Sequence, residues 1–113
     1  MASANSPDSA ASDVPAVSLN GSGWRDVQDF YDALFSALES PQWHGQSPDA
    51  LVDSIVWGGI NGRKPPYCVI VTSLSDPEIR EHVALCGRCI AQSRQEYRQL
   101  KGEDVKVALE LGD

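Results

Sequence analysis

The sequence predicts a small α/β domain, in which a three-stranded parallel sheet packs with three to four helices. Hydrophobic residues make up 42% of the 113 residues and charged residues 22%, so the chain can bury one core. Three short runs have the apolar or alternating composition of strands, and stretches with helical periodicity separate them. Because helices between consecutive strands favour parallel pairing, we expect one parallel sheet with the strand order 1-2-3.

A flexible tail over residues 1–16 is expected to precede one domain over residues 17–113. The tail is rich in Ala, Ser, Asp and Pro and has no aromatic residue, so it can bury too little surface to offset its ordering entropy. Val17-Ser18-Leu19 alternates and is followed by the turn signal Asn20-Gly21. This pattern predicts a short edge strand at the start of the domain.

A first helix is predicted after this turn, with Asp26 as its N-cap and Ser40-Pro41 as its end. Apolar residues recur there at helical spacing and are expected to face the core: Val27, Phe30, Tyr31, Leu34 and Leu38.

A second helix is predicted to begin at Pro48, with Ser47 as its N-cap, and to run to about residue 56. At about 100° per residue, Leu51 and Ile55 share one side of this helix, which is expected to be buried. The opposite, solvent-facing side is predicted to carry Asp49, Val52, Asp53 and Val56. Two carboxylates at i, i+4 spacing repel each other, and no basic residue in the segment relieves them, which indicates a basic partner.

A central strand is predicted at residues 67–72, because a continuous apolar run is typical of a strand buried on both faces. A Gly-rich loop over residues 58–66 precedes it and matches no phosphate-binding motif. A long helix should follow and end at Gly102, starting either with a Ser75–Glu78 capping box or with an Asp76 cap. Its predicted inward stripe consists of Ile79, Val83, Cys86, Ile90, Tyr97 and Leu100. Residues 105–111 alternate and predict a last strand.

The charge distribution excludes several classes of function. Nine Lys and Arg residues stand against 16 Asp and Glu residues, which gives a net charge of −7. Residues 24–55 hold most of this excess, with one basic and six acidic residues. An acidic surface repels nucleic acid and anionic membranes and steers a basic protein partner. We expect no membrane span and no secretory signal, and the odd count of three cysteines favours a reducing, cytoplasmic location.

A thiol or metal function is the rival interpretation, because Cys86-Gly87-Arg88-Cys89 is a CxxC motif. The motif lies well inside a predicted helix, so it lacks the helix N-terminus that lowers thiol pKa values. A zinc site could use His82, Cys86 and Cys89, but the only candidates for a fourth ligand, Cys68 and His44, lack motif spacing. Packing of the cysteines in the core is therefore favoured, and no metal or cofactor is expected.

The segment over residues 41–55 resembles the barstar family of ribonuclease inhibitors. The family pattern there is a Pro, an aromatic pair ending in Gly, and then Asp-Ala-Leu-x-Asp; this chain has Pro41, Trp43-His44-Gly45 and Asp49-Ala50-Leu51-Val52-Asp53. The element order extends the resemblance over residues 17–111. It implies a three-stranded parallel fold and an inhibitor or immunity protein, not an enzyme. Such a protein would be a monomer when free and would block a basic ribonuclease or related nuclease toxin.

The resemblance also implies roles for individual residues. Asp53 would enter the phosphate-binding pocket of the nuclease, and Asp49 would make the adjacent acidic contact. Trp43 would be an aromatic contact, and the loop backbone at Gly45 would approach the partner closely. A further acidic contact from the last helix is implied at Glu96, with Tyr97 as the alternative at that position.

Departures from the family pattern lie around this acidic centre. Val52 stands where the type member has Trp, His44 replaces the second aromatic residue, and Ser47 replaces Asn. The loop before the central strand is also longer than in the family. Changes at the rim of an interface alter which partner is preferred, so we expect a nuclease other than the family's type ribonuclease. An adaptor that keeps the fold and binds another protein is the remaining alternative.

Overall fold

The computed structural model describes residues 14–40, 46–58 and 61–112. A π-helical segment, Asp53–Gly58, continues directly from the second helix. The strands and α-helices are, in chain order, β1 (Ala16–Asn20), α1 (Val27–Leu38), α2 (Pro48–Val52), β2 (Tyr67–Thr72), α3 (Pro77–Lys101) and β3 (Val107–Leu111). All three strands are parallel in the order β1-β2-β3. The predicted fold class and strand order are therefore confirmed.

Strand β2 lies at the centre of the sheet because its side chains are apolar on both faces. Tyr67, Cys68, Val69 and Val71 are all buried, whereas the two edge strands alternate between buried and exposed positions. Strand β1 begins one residue earlier than predicted, at Ala16. Its pairing with β2 extends one residue further, because Cys68 N donates a hydrogen bond to the Pro15 carbonyl. Residues 1–13 of the predicted tail lie outside the described residues.

Helix α1 begins and ends as its sequence predicts. The Asp26 side chain accepts a hydrogen bond from Asp29 N at 3.1 Å, and Glu39 ends the helix in the left-handed region, with φ of 56°. The loop before β2 supplies the donors that the helix end needs. Arg63 N donates to the Leu38 carbonyl, and the neighbouring backbone N–H donates to the Glu39 carbonyl.

Helix α3 uses the second of its two predicted starts, with Asp76 as the N-cap and Pro77 as the first helical residue. Its buried stripe contains Ile79, Val83, Cys86 and Ile90, as predicted. Leu100 does not belong to this stripe, and its prediction as a core residue is wrong, since it is 75% exposed. A 25-residue helix is about 37 Å long, whereas a five-residue strand spans about 17 Å. Helix α3 is therefore longer than the strand on which it packs.

Helix α3 approaches β3 unusually closely at Gly87. A Cβ atom built at this position would lie 2.5 Å from the Leu109 carbonyl oxygen, a backbone atom that cannot rotate away. The missing side chain therefore lets the helix backbone lie directly against the strand. This contact accounts for the glycine between the two cysteines of the CxxC motif without any thiol chemistry.

We expect Gly87→Ala to destabilise the protein, although alanine is the better helix former by about 1 kcal/mol. The added methyl group must push α3 away from β3, which should cost about 1–3 kcal/mol of unfolding free energy. Urea unfolding monitored by circular dichroism measures this change. Ala91→Gly, at an exposed position of the same helix, is the control for helix propensity. A Gly87→Ala protein that is more stable than wild type would contradict the close contact between α3 and β3.

An ion pair holds the chain that enters β3. Arg94 Nε donates to Asp104 Oδ1 at 2.6 Å and Nη2 to Oδ2 at 2.8 Å, while Nη1 donates to the Val107 carbonyl at 3.2 Å. Asp104 Oδ1 also accepts from Lys106 N, and Lys106 has a φ of 58°. This bend delays the strand, so that β3 begins at Val107 and not at residue 105 as predicted.

The hydrogen bonds from Arg94 lower the pKa of Asp104 to about 2, below its value in an unfolded chain. A lowered folded-state pKa means that the stabilisation is complete above pH 4 and is lost as the pH falls toward 2. We therefore expect Asp104→Asn to lower stability by about 1–2 kcal/mol at pH 7, with a difference from wild type that shrinks below about pH 4.

Thermal unfolding of both proteins between pH 7 and pH 2 is the measurement for this ion pair. Glu103→Gln removes the same charge from an exposed neighbouring side chain and is the matched control. A stability difference that stays constant across this pH range would argue against the ion pair as its source.

Candidate functional site

Two aspartates lie on the solvent side of the second helix, Asp49 in α2 and Asp53 at the start of the π-helical segment. Ser47 Oγ accepts a hydrogen bond from Ala50 N at 3.1 Å, which caps the helix, and Pro48 is its first residue. Leu51 is fully buried and anchors the opposite side. Asp49 and Asp53 are therefore exposed, as the sequence predicts.

The helix changes its winding after Val52, and the predicted exposure of Val56 is wrong as a result. The sequence predicts an exposed Val56, but this side chain is only 4% exposed. In the π-helical segment, hydrogen bonds run from i to i+5, so each residue advances the chain by less than 100°. Val56 consequently lies on the same side as Leu51, five residues earlier. Ser54 is buried too, and its Oγ donates to the Leu51 carbonyl.

Helices α2 and α3 form the two walls of a cleft that contains three carboxylates. We refer to it as the acidic cleft. One wall carries Asp49, Val52 and Asp53, and the other carries Cys89, Gln92, Ser93 and Glu96. Glu96 thus faces the same cleft as the two aspartates, although it lies more than 40 residues away in the sequence. Tyr97, the alternative residue, packs instead against Trp57, with a ring-centroid distance of 5.1 Å.

The electrostatics of the acidic cleft are not balanced by its described lining. No Lys or Arg side chain belongs to the residues that line it. The one described contact to a carboxylate there is a long hydrogen bond of 3.4 Å from Gln92 Nε2 to Glu96 Oε2. Clustered carboxylates without a cation repel each other, so binding of a basic group would relieve this repulsion. The arrangement is therefore suited to binding a cationic surface.

Three other predicted contact residues, Trp43, His44 and Gly45, lie outside the described residues. Val52 is described and is half-buried in the cleft wall, between the two aspartates.

The three main residues of the rival thiol or metal site, His82, Cys86 and Cys89, all lie among the described residues. Cys86 is completely buried, and its Sγ lies 3.7 Å from the Tyr31 hydroxyl. His82 Nε2 is 2.7 Å from the same hydroxyl, whereas Cys89 lines the acidic cleft. Within residues 14–40, 46–58 and 61–112, no three His, Cys, Asp or Glu side chains are grouped so that they could hold a metal ion.

The chemistry of Cys86 also favours a packing role. Burial raises the pKa of its thiol above the usual value, so the thiol remains protonated near neutral pH. A protonated, inaccessible thiol is a poor nucleophile and a poor metal ligand. The CxxC motif is therefore explained by one core cysteine, one glycine at a close helix–strand contact and one cysteine at the cleft.

Sequence reasoning missed the remaining residues of the α3 wall. Cys89, Gln92 and Ser93 share the cleft with Glu96 because positions i, i+3, i+4 and i+7 lie on one face of a helix. That spacing is visible in the sequence, but the polar stripe carries no signal for which element it faces.

No helix among the described residues is both long enough and apolar enough to cross a membrane.

The chain was compared with models of known protein families. Residues 14–110 fit the model of the family described as Barstar (barnase inhibitor). No curated protein matches the chain. Members of this family are ribonuclease inhibitors and not enzymes. Since the match covers most of the 113 residues and agrees with the three-stranded parallel sheet, the chain belongs to the barstar family.

Proposed function

We propose that this protein is an inhibitor or immunity protein that binds a basic ribonuclease or a related nuclease toxin and blocks its active site. The observation that carries the proposal is the acidic cleft, in which Asp49, Asp53 and Glu96 converge without a described basic neighbour. A nuclease must bind phosphate, so its active site is basic and complementary to this cleft.

Carboxylates on a helix can take the place of substrate phosphate in such an active site. A carboxylate accepts two hydrogen bonds from one guanidinium in the same planar arrangement as a phosphate does. In our proposal, Asp53 enters the phosphate-binding pocket, Asp49 binds beside it, and Glu96 makes a contact from the opposite wall. The Ser47 cap and the buried Leu51 hold the helix in place before binding, which reduces the entropy lost in the complex.

Inhibition of the nuclease by filling its active site requires no chemical step. The protein would act stoichiometrically, without turnover and without a cofactor, in the cytoplasm of the cell that makes the nuclease. Trp43, His44 and Gly45 are proposed to contact the rim of the nuclease site, in line with the family pattern. We propose a monomer in the free state.

We expect Asp53→Ala to weaken binding at least about thirtyfold, because the substitution leaves a desolvated cation of the nuclease without its partner. Most of the loss should appear as faster dissociation. The measurement is biolayer interferometry with purified barnase and with the ribonuclease that the immobilised wild-type chain retains from a lysate of its source cells.

Asp32→Ala is the matched control for the Asp53 variant. It removes the same charge from an exposed position on α1, whose side chain contacts Gln28 and does not line the acidic cleft. The control should bind within about twofold of wild type. Equal effects of the two substitutions would mean that net charge matters and the acidic cleft does not.

The association rate should fall steeply as salt is added, because the acidic cleft steers a basic partner over long range. Raising the ionic strength from about 0.01 M to 1 M shortens the Debye length from about 30 Å to 3 Å. We expect the association rate constant to fall by at least about tenfold over this range, with a smaller change in dissociation. Stopped-flow fluorescence measures both rates, and an association rate independent of salt would argue against steering.

A further inference from the structure

A second exposed surface adjoins the acidic cleft at the C-terminal end of α3. We call it the apolar shoulder, and it consists of Trp57, Tyr97 and Leu100. Leu100 is 75% exposed and Trp57 38% exposed, and they are two of the three large apolar side chains exposed among the described residues. Tyr97 joins them, because its ring packs against Trp57 and it is an i, i+3 neighbour of Leu100.

Helix geometry places Leu100 on the same face of α3 as the cleft wall. At 100° per residue, it points within about 40° of Cys89, Ser93 and Glu96. It also lies one turn beyond Glu96, which is about 6 Å along the helix axis. Leu100 therefore follows Glu96 on the face of α3 that lines the acidic cleft.

The basic residues at this end of α3 point elsewhere. Arg98 and Lys101 lie at about 160° and 100° from Leu100 around the helix. Both occupy the last turn, where cations are favoured by the helix dipole. A basic partner seated in the acidic cleft would therefore meet Leu100, and not a like charge, next to Glu96.

The typical size of protein interfaces indicates which molecule covers the apolar shoulder. A stable protein complex buries about 800 Å² on each partner, which is far more than one cleft with three carboxylates can offer. A partner attracted by the acidic cleft must therefore extend over neighbouring surface, and Leu100 is only about 6 Å away. We infer that the nuclease carries an apolar patch beside its basic site and that Leu100 and Trp57 contact this patch.

This inference rests on the proposed function and adds a source of specificity to it. Phosphate-binding pockets share the same positive charge, so carboxylates alone discriminate poorly between nucleases. Apolar contacts next to such a pocket depend on the shape of one particular enzyme. The apolar shoulder is thus where this inhibitor would select its nuclease.

The test compares Leu100→Ala and Leu100→Glu with wild type, by biolayer interferometry against purified barnase and the ribonuclease retained from the source-cell lysate. We expect Leu100→Ala to weaken binding at least about fivefold. Leu100→Glu should weaken it further, although the added negative charge by itself would attract a basic partner. Leu100 is exposed, so circular dichroism should show an unchanged fold for both variants.

Leu85→Ala is the matched control, since Leu85 is also an exposed leucine of α3, at 40%. It lies about 22 Å from Leu100 along the helix and lines a different surface with Arg25 and His82. The control should bind within about twofold of wild type.

The outcomes separate this inference from the proposed function. If Asp53→Ala weakens binding while Leu100→Ala does not, the inference that Leu100 contacts the nuclease is wrong and the proposed inhibitor function stands. If Leu100→Glu binds more tightly than wild type, only charge matters at this position and the inference is again wrong. If the wild-type chain binds neither ribonuclease, the proposed function is wrong and the contact is wrong with it.

Discussion

The close packing of α3 across the sheet is the interaction on which the other features of this protein depend. Its inner face supplies much of the core, including Val83 and Ile90, and its approach to β3 requires a residue without a side chain at Gly87. The same helix forms one wall of the acidic cleft and carries Leu100. A shift of α3 would therefore disturb stability and the candidate binding surface together, because one rigid element serves both.

The acidic cleft is electrostatically unfavourable in the free protein. Three carboxylates around one cleft repel each other, and this repulsion is only partly offset by the helix dipole, which favours Asp49 in the first turn of α2. The π-helical segment that follows is a rare geometry found frequently at functional sites. It buries Val56 and brings Trp57 to the ring of Tyr97, so the change in winding links the acidic cleft to the apolar shoulder.

Local patterns predicted those features that depend on near neighbours in the chain. The caps of α1 and α3, at Asp26 and Asp76, follow from side chains that bond to backbone groups two or three residues away. The outward direction of Asp49 and Asp53 follows from helical spacing. The prediction for Val56 was wrong because a constant 100° rotation cannot anticipate a π-helical turn, and no residue in that segment signals one.

By itself, the sequence determined the fold class, the strand order and the acidic character of the α2 region, because these depend on composition and short-range periodicity. The resemblance to the barstar family depends on the motif over residues 41–55. Only the tertiary structure showed that Glu96 faces the same cleft as the two aspartates, that Cys89 lines this cleft, and that Leu100 is exposed and not part of the core. These three facts depend on where α3 lies relative to α2 and the sheet. Such distances are set by how whole elements pack together, and the spacing of residues along one chain does not encode them directly.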